Sequence, residues 1–237
     1  MKKKEILAII PARGGSKGIK RKNMIPLEGK PLIQYSIDAA LNSRYITRVT
    51  VNSDDAEILE YASSKGVEVV KRPQNLAEDN TPMNAVLVDQ LQKMKAQEKY
   101  IPDIIVLLQP TSPLRTSTHI DEALEKMLGC DCNAMVSVVE EPHLYSPYSV
   151  MKMNGDGFLE FFIEEGKCFT SRQDKPKFYA RNGAAIYAVY TDIYLACGSL
   201  YGTKCIPYEM KEEESIDIDR PLDLYLAECM MEYKKRN

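Results

Sequence analysis

Short apolar runs rich in β-branched residues alternate along this chain with segments in which apolar residues recur at helical spacing. The runs occupy residues 6–10, 46–51, 67–70, 104–108 and 134–139. The helical spacing occupies residues 32–41, 56–64, 84–94 and 119–128. Such alternation with short connections predicts parallel strands joined by right-handed crossovers. We therefore expect an α/β fold with helices on both faces of a mostly parallel sheet, whose ligands bind at the carboxyl ends of the strands.

The alternation stops near residue 140. From there to about residue 176 the chain is rich in aromatic residues, glycine and charge, and the turn sequence Asn-Gly-Asp-Gly at 154–157 predicts a hairpin between two strands. The core pattern resumes at 184–190, and a last helix is expected at 222–233, after Asp219 and Pro221. We predict an α/β domain formed by residues 1–139 and 177–237, with an inserted β-rich subdomain at 140–176.

Composition and charge exclude several classes of protein. The 237 residues carry a formal net charge of -3, so positive charge is local and the broad basic face of a nucleic-acid-binding protein is absent. The first apolar run is too short for a signal peptide, and no later run approaches the length of a membrane span. We expect a cytoplasmic protein with neither a nucleic acid nor a membrane as partner.

The six cysteines are scattered without a Cys-x-x-Cys pair, and the chain has only two histidines, which together argue against a zinc site. We interpret the cysteines as reduced and mostly part of the core. The alternative that stays open is a redox pair formed by Cys130 and Cys132.

The loop that follows the first strand carries most of the local positive charge. Its sequence, IIPARGGSKGIKRKN at residues 9–23, combines glycines with five cations: Arg13, Lys17, Lys20, Arg21 and Lys22. Glycines let backbone N–H groups crowd around a phosphate, and the cations supply charge-assisted bonds to further phosphate oxygens. The loop has neither the Walker A spacing nor the G-x-G-x-x-G dinucleotide spacing. It predicts a triphosphate site of another kind, and the alternative is a solvated turn.

Two aspartates near the end of the chain form the complementary feature. Asp217 and Asp219 alternate around Ile218, so their carboxylates face the same side of an extended segment. Hard oxygen ligands on one face suit Mg²⁺, which takes one or two carboxylates and completes its shell with water and phosphate. The alternative is that Asp219 caps the last helix. A cationic loop together with an acidic pair is what nucleotidyl transfer requires.

Four motifs in this order resemble the acylneuraminate cytidylyltransferase family, the CMP-sialic acid synthetases. They are Ile-Pro-Ala-Arg-Gly-Gly-Ser-Lys-Gly with Lys22-Asn23, Leu-Gln-Pro-Thr-Ser-Pro-Leu-Arg at 108–115, Arg-Asn-Gly-Ala at 181–184, and Ser-Ile-Asp-Ile-Asp at 215–219. The resemblance spans nearly the whole chain. It implies a Rossmann-like domain that binds CTP and Mg²⁺, a nine-carbon 2-keto sugar acid as the second substrate, and a homodimer held together by the inserted segment.

The resemblance also implies roles for individual residues. Arg13 and Lys22 are expected to contact the triphosphate and, with Asp219, to act in catalysis, while the rest of the nucleotide site is Ala12, Gly14, Ser16, Asn23 and Arg72. The metal ligands are expected at Asp217 and Asp219, and the sugar is expected to contact Gln109, Arg172 and Tyr187. For deprotonation of the attacking hydroxyl, a metal-bound water and Asp219 stay open as alternatives.

Two departures from the family pattern fall on the sugar side. Ser149 stands where sialic acid enzymes carry a lysine, for which Lys152 is a candidate substitute, and the segment 182–187 is one residue longer than Asn-Gly-Ala-Ile-Tyr. The acceptor is therefore N-acylneuraminate or a bacterial relative such as legionaminic or pseudaminic acid. The rivals are a 3-deoxy-manno-octulosonate cytidylyltransferase and a catalytically silent sugar-nucleotide-binding protein.

Overall fold

The computed structural model describes residues 3–16, 18–183 and 185–236, without the side chain of Arg172. The helices are α1 (Leu32–Leu41), α2 (Ala56–Ser64), α3 (Met83–Glu98), α4 (Ser117–Leu128), α5 (Thr191–Cys197) and α6 (Pro221–Arg236). The strands are β1 (Ile6–Pro11), β2 (Pro26–Leu27), β3 (Lys30–Pro31), β4 (Arg48–Ser53), β5 (Glu68–Lys71), β6 (Ile104–Leu107), β7 (Ala134–Glu140), β8 (Met151–Met153), β9 (Leu159–Phe161), β10 (Tyr179–Arg181), β11 (Tyr187–Tyr190) and β12 (Cys205–Glu209).

The main sheet has the strand order β10-β7-β11-β6-β1-β4-β5, and β12 pairs with β7. β1 is parallel to β4 and β6, and β4 is parallel to β5. β10 and β11, which follow the inserted segment, run antiparallel to their neighbours, whereas β12 is parallel to β7. The sheet is therefore mainly parallel, which confirms the predicted α/β fold class.

Both faces of the sheet are buried, as the strand pattern of β1 shows. Ile6, Ala8 and Ile10 pack into the core cluster that includes buried residues of α1, α2 and α4, whereas Leu7 and Ile9 pack into the cluster that includes buried residues of α3 and α5. Because successive side chains of a strand point to opposite faces, a continuous apolar run is the pattern of a strand covered by helices on both sides.

A third, smaller hydrophobic cluster positions the cationic loop and the Ser-Ile-Asp-Ile-Asp segment. Ile19 from the loop after β1 packs with Leu32 of α1, with Ile218, and with Ala227 of α6. The cationic loop and the Ser-Ile-Asp-Ile-Asp segment are thus held against each other, although 196 residues separate Lys22 from Ile218 in the sequence, roughly the length of a whole domain.

The inserted segment lies between β7 and β10. It contains a separate two-stranded sheet in which β8 pairs antiparallel with β9, and Asn154 forms the predicted turn, where its side chain accepts the N–H groups of Asp156 and Phe158. The division of the chain at 140 and 176 stays a prediction. Within the described residues, the helices are all too short or too polar to cross a membrane.

Candidate active site

The loop after β1 is fixed at both of its ends. Ala12 is buried, and its N–H donates to the carbonyl of Asn52 at the end of β4 over 2.9 Å. Asn23 is also buried, and its Nδ2 donates to the carbonyl of Arg13 over 2.9 Å. These bonds fix the backbone conformation of the loop, so that less conformational entropy is lost when a ligand binds.

Two glycines of this loop are required by the close approach of acidic residues. A Cβ on Gly14 would lie 2.6 Å from a carboxylate oxygen of Asp55, and a Cβ on Gly18 would lie 2.2 Å from the backbone carbonyl of Asp219. The N–H of Gly14 donates to the carboxylate of Asp54 over 3.0 Å. The loop therefore packs closely both on the start of α2 and on the Asp219 segment, and larger residues do not fit.

Arg72 is a cation held rigidly at the ends of β4 and β5. Its side chain is buried, and it donates to the side chain of Asn52 over 2.7 Å and to the carbonyl of Asn52 over 3.1 Å. Asn52 in turn donates to Gln90 of α3 over 3.0 Å. Burial lowers the pKa of Arg72, and an arginine stays charged even so.

A cavity of about 210 Å³, which we call the loop cavity, lies over the loop after β1. It brings together most of the predicted nucleotide-binding residues, namely Arg13, Ser16, Lys22, Asn23 and Arg72, with Gln109 and Thr111 on the opposite wall. Ala12 and Gly14 do not line the cavity; Ala12 is buried and Gly14 donates to Asp54. The predicted phosphate contact Lys17 lies outside the described residues, and Arg21 turns away to pair with Glu57.

Lys22 connects the cationic loop to the acidic segment. Its Nζ donates to the Asp219 carboxylate and to the carbonyl of Ile218, each over 2.8 Å. The Asp219 carboxylate does not cap α6; instead, the Asp223 carboxylate accepts the backbone N–H groups of Asp219 and Arg220 at 3.1 and 2.7 Å. The alternative interpretation of Asp219 as a helix cap is therefore not what the structure contains. Its carboxylate stays accessible beside the loop.

Asp217 carries a buried oxygen that is not satisfied. Its Oδ1 has no hydrogen-bond partner among the described residues, and the same is true of the hydroxyl of Thr111. The backbones of the two segments are joined, because the N–H of Ile218 donates to the carbonyl of Thr111 over 2.8 Å. Burial raises the pKa of Asp217 and the neighbouring Asp219 charge adds to the shift, whereas the Thr111 side chain acts in the opposite direction. A buried carboxylate oxygen without a donor is costly unless a cation or another ligand satisfies it.

This acidic pair fits Mg²⁺ better than it fits a metal held by protein alone. Asp217 and Asp219 supply hard oxygen ligands, and no group of three or more potential metal-ligating side chains occurs in the described ranges. Mg²⁺ commonly binds through one or two carboxylates and takes its other ligands from water and substrate phosphates. The loop cavity, with its cations, lies beside this pair.

Asn182 anchors the acidic segment to the sheet. Its side chain is buried, accepts from the hydroxyl of Ser137 in β7 over 2.6 Å, and donates to the hydroxyl of Ser215 over 3.1 Å. The Ser137 hydroxyl also accepts the N–H of Ile186 over 2.8 Å. The asparagine of the Arg-Asn-Gly-Ala motif therefore has a structural role: its hydrogen bonds join β7 to the segment that bears Asp217.

A second cavity of about 480 Å³, which we call the tyrosine cavity, adjoins the loop cavity. Gln109 and Met83 line both. Asp217 and Tyr187 line the tyrosine cavity, and it reaches Arg181 and Tyr201, which the sequence analysis did not select.

The polar wall of the tyrosine cavity is a connected network. Arg181 donates to the hydroxyl of Tyr201 over 3.1 Å, and this hydroxyl lies 3.4 Å from that of Tyr187. The two tyrosine rings meet edge to face with centroids 5.8 Å apart. Burial raises the pKa of Tyr187 to about 12, so the phenol stays protonated at neutral pH and donates or accepts hydrogen bonds.

Arg115 supports the region between the two cavities. It is buried and has no carboxylate partner among the described residues; it donates to the carbonyls of Gln109 and Ala185 at 3.1 and 2.8 Å and to the hydroxyl of Ser36 at 2.5 Å. Burial lowers the pKa of Arg115 to about 9. The arginine at the end of the Leu-Gln-Pro-Thr-Ser-Pro-Leu-Arg motif therefore fixes the backbone that presents Gln109.

The remaining sugar-side predictions lie in the inserted segment. Arg172 begins a short 3-10 turn, Arg172–Asp174, and its side chain lies outside the described part of the chain. Lys152, the candidate substitute for the missing lysine, pairs with Glu160 across the β8–β9 hairpin at 3.2 Å. The hydroxyl of Ser149 accepts a hydrogen bond from Lys175 over 2.8 Å, so the structure brings a different lysine to this position.

Comparisons with known proteins identify the family of the chain. The sequence model of the family described as cytidylyltransferase matches residues 7–234. An N-acylneuraminate cytidylyltransferase of Streptococcus agalactiae serotype V is 35% identical over 216 residues, which cover 90% of this chain and 50% of that protein. The chain thus spans about half the length of this relative. The CMP-N,N'-diacetyllegionaminic acid synthase of Campylobacter jejuni is 33% identical over 232 residues, which cover 97% of this chain and 96% of that protein.

Among solved structures, the CMP:2-keto-3-deoxy-manno-octonic acid synthetase complexed with CTP superposes with a TM-score of 0.71 at 18% identity, covering 97% of this chain and 99% of the other. At this identity the likeness shows a shared fold. The fold agrees with the sequence relationship, which is carried by a family match over nearly the whole length and by relatives above 30% identity. The chain belongs to the cytidylyltransferase family.

Proposed function

We propose that this protein is a nucleotidyltransferase that joins CTP to a nine-carbon 2-keto sugar acid, an N-acylneuraminate or a legionaminate-like relative, to give a CMP-sugar and pyrophosphate. In this reaction the anomeric hydroxyl of the sugar forms a new O–P bond to the α-phosphate, the bond to the β-phosphate breaks, and the hydroxyl proton is released. The relatives at 33–35% identity are enzymes named for N-acylneuraminate and diacetyllegionaminate.

The observation that carries the proposal is the junction of two cavities at Gln109. The loop cavity is lined by Arg13, Lys22 and Arg72, whereas the tyrosine cavity is lined by Asp217. A triphosphate in the first and a sugar acid in the second would meet beside Gln109. This arrangement holds two reactants in contact, which is the main contribution a protein makes to phosphoryl-type transfers.

The cations of the loop cavity would stabilise the leaving pyrophosphate. Arg13 offers a planar fork for two phosphate oxygens, and in the structure it pairs with Asp79 at 2.5 Å. Lys22 likewise pairs with Asp219. Binding of CTP therefore exchanges protein carboxylates for phosphates at both cations, so that negative charge is replaced without leaving either cation buried and unpaired.

The proposal includes Mg²⁺ held by Asp217 and Asp219. When bound, the ion supplies Lewis-acid stabilisation of charge on the phosphates. Asp217 brings to this site the buried Oδ1 that no described residue satisfies, and Asp219 would turn toward it once Lys22 moves to the triphosphate. For the group that would accept the proton of the sugar hydroxyl, Asp219 and a water at the metal site stay as alternatives.

On the sugar side, we propose that Gln109 and Tyr187 contact the hydroxyl and acyl groups and that Arg172 binds the carboxylate. Arg181 and Tyr201 complete the wall that carries Tyr187. Lys175, which donates to Ser149, places an ammonium group where the resemblance expects a lysine. These assignments rest on the family resemblance together with the cavity lining.

We also propose a homodimer that works in the cytoplasm. The inserted segment exposes large apolar side chains that a solitary chain would leave in water, with Met153 71%, Phe158 70% and Leu159 64% exposed. Contiguous apolar surface of this kind is typical of an interface. Sedimentation velocity tests the dimer: Phe158→Glu should shift the chain to monomer, and Tyr225→Glu, on the exposed face of α6, should not. A monomeric parent protein would refute the dimer.

The proposed reaction is tested by pyrophosphate release with CTP and Mg²⁺ against N-acetylneuraminic, legionaminic, pseudaminic and 3-deoxy-octulosonic acids. ATP, GTP and UTP serve as nucleotide controls. Turnover with CTP and one nine-carbon acid supports the proposal and names the acceptor. Turnover with the eight-carbon acid alone would favour the 3-deoxy-manno-octulosonate enzyme. CTP binding by calorimetry without turnover with any acid would favour the silent binding protein.

A further inference from the structure

The turn between α4 and β7 holds two cysteines for which the proposed reaction has no use. Cys130 is exposed, and Cys132 is buried at 9% exposure. The N–H of Cys132 donates to the carbonyl of Cys130 over 3.0 Å. A hydrogen bond between residues i and i+2 closes a three-residue turn, and this turn brings the two side chains together.

The sulfur atoms converge in this turn. Sγ of Cys130 and Sγ of Cys132 lie 2.9 Å apart, and the carbonyl of Met127 lies 3.7 and 3.4 Å from them. Both groups are free thiols in the structure. A disulfide requires Cα atoms about 4.4–6.8 Å apart with Cβ vectors that approach each other, and a closed three-residue turn shortens the Cα separation toward that range. Oxidation would therefore require little movement of the backbone.

The exposed member of the pair is the one that an oxidant reaches first. Burial raises the pKa of Cys132 to about 12, and the adjacent Cys130 adds to the shift, so Cys132 is protonated at neutral pH. Cys130 has solvent on one side and the second thiol on the other, which is the arrangement of an attacking cysteine beside a resolving one.

We propose that Cys130 and Cys132 form a reversible dithiol–disulfide site that reacts with small-molecule disulfides such as glutathione disulfide. The Cys130 thiolate attacks one sulfur of the oxidant, the S–S bond of the oxidant breaks, and one glutathione leaves with the Cys130 proton. Cys132 then attacks Sγ of Cys130, and the second glutathione leaves with the Cys132 proton. Two electrons and two protons pass from the cysteines to the oxidant, and excess glutathione reverses both steps.

This site lies at the opposite end of the strands from Gln109. Ala134, two residues after Cys132, pairs with Val189 in β11, and Val189 pairs with Ile105 near the start of β6. The two cavities adjoin Gln109, beyond the other end of β6. The inference does not rest on the proposed function, because its test measures the redox state of the two sulfurs and not turnover.

The experiment equilibrates the full chain in glutathione buffers from fully reduced to fully oxidised. The protein is quenched with acid and unfolded, free thiols are blocked with one reagent, disulfides are reduced, and the released thiols are labelled with a second. Peptide mapping reads each cysteine. We expect Cys130 and Cys132 to gain the second label together, and the transition to follow the square of the reduced glutathione concentration, because two glutathiones are released.

Matched serine variants separate the internal disulfide from simple glutathione adducts. In Cys132→Ser, Cys130 should hold one glutathione and its transition should depend on the first power of reduced glutathione. In Cys130→Ser, the buried Cys132 should stay reduced, and Cys197→Ser should behave as the parent protein. The proposal is overturned if the parent carries glutathione on Cys130 while Cys132 stays free. It is also overturned if Cys132 pairs with Cys205, the thiol that also acts on its pKa.

Discussion

Gly183 lies directly against the carboxyl group of Asp217. A Cβ built on Gly183 would come within 2.2 Å of Cγ of Asp217 and 2.6 Å of its Oδ1, and Gly183 has a φ of +67°, a conformation that costs other residues about 1–2 kcal/mol. The glycine therefore allows the acidic segment to reach its place at the tyrosine cavity. We expect Gly183→Ala to displace Asp217, to lower kcat/KM about 10²-fold, and to lower the free energy of unfolding by about 1 kcal/mol or more.

The matched control for Gly183→Ala is Gly155→Ala, in the hairpin turn. A Cβ on Gly155 meets nothing within 4 Å, and its φ is not in the left-handed region. We expect its free energy of unfolding to change by no more than about 0.5 kcal/mol and its turnover to match the parent protein. Pyrophosphate release and denaturant unfolding measure both variants. Equal activity in the two variants would show that the position of Asp217 does not matter.

Lys22 is expected to act on the triphosphate and Asp219 on the metal. Lys22 lines the loop cavity and also pairs with Asp219. Lys22→Met should therefore lower kcat by about 10²-fold or more at any Mg²⁺ concentration. Asp219→Asn should also lower kcat, and its residual activity should require more Mg²⁺. Steady-state kinetics across a Mg²⁺ titration measures both, with Lys65→Met, an exposed lysine at the end of α2, as the control. An unchanged Mg²⁺ requirement in Asp219→Asn would remove Asp219 from the metal site.

Binding of the sugar carboxylate is expected to depend on Arg172. Loss of a charged hydrogen-bonding partner costs about 1.5–3 kcal/mol, so Arg172→Ala should raise KM for the sugar acid by about tenfold or more and leave KM for CTP unchanged. Arg181→Ala should act through Tyr201 and Tyr187, with a smaller effect on the same constant. If Arg181→Ala has the large selective effect and Arg172→Ala has none, the carboxylate lies at the wall of the tyrosine cavity instead.

Features that depend on neighbours in the sequence were predictable, and those that depend on distant contacts were not. The apolar run of β1 and the Asn-Gly turn of the hairpin follow from local periodicity and turn chemistry, and both match the structure. β12 was missed because it contains Pro207 and, among the described residues, pairs only with β7. Within the candidate site, Arg115 lies in a motif, but its role depends on burial, and Tyr201 lies in a loop without any pattern.

The acidic pair illustrates the same limit at the level of single atoms. Alternation around Ile218 predicts that both carboxylates face one side, but it could not show that Asp217 has a buried oxygen without a hydrogen-bond partner among the described residues while Asp219 is held by Lys22. Sequence spacing indicates which side a residue faces; the groups that contact the two carboxylates come from the loop after β1 and the turn before β11, both distant in the chain.

His119 gives the protein a stability that depends on pH. Its backbone N–H donates to the hydroxyl of Thr116, and its Nδ1 accepts the N–H of Thr116 over 3.2 Å, so the neutral ring completes the cap of α4. Its Nε2 faces Glu214 at 3.3 Å. Burial lowers the pKa of His119, although Glu214 acts in the opposite direction. Protonation of Nδ1 would remove the acceptor and break the cap.

The sign of the effect follows from proton uptake. Because the folded state lowers the pKa of His119, the unfolded chain binds more protons as the pH falls through about 6.5. Stability is therefore full above this pH and decreases as the pH falls toward the folded-state pKa. We expect the free energy of unfolding, measured with urea from about pH 8 to about pH 5.5, to decrease in the parent protein and in His143→Gln, which alters the other, exposed histidine. In His119→Gln the slope should flatten, and a slope that survives this substitution would assign the pH dependence to other groups.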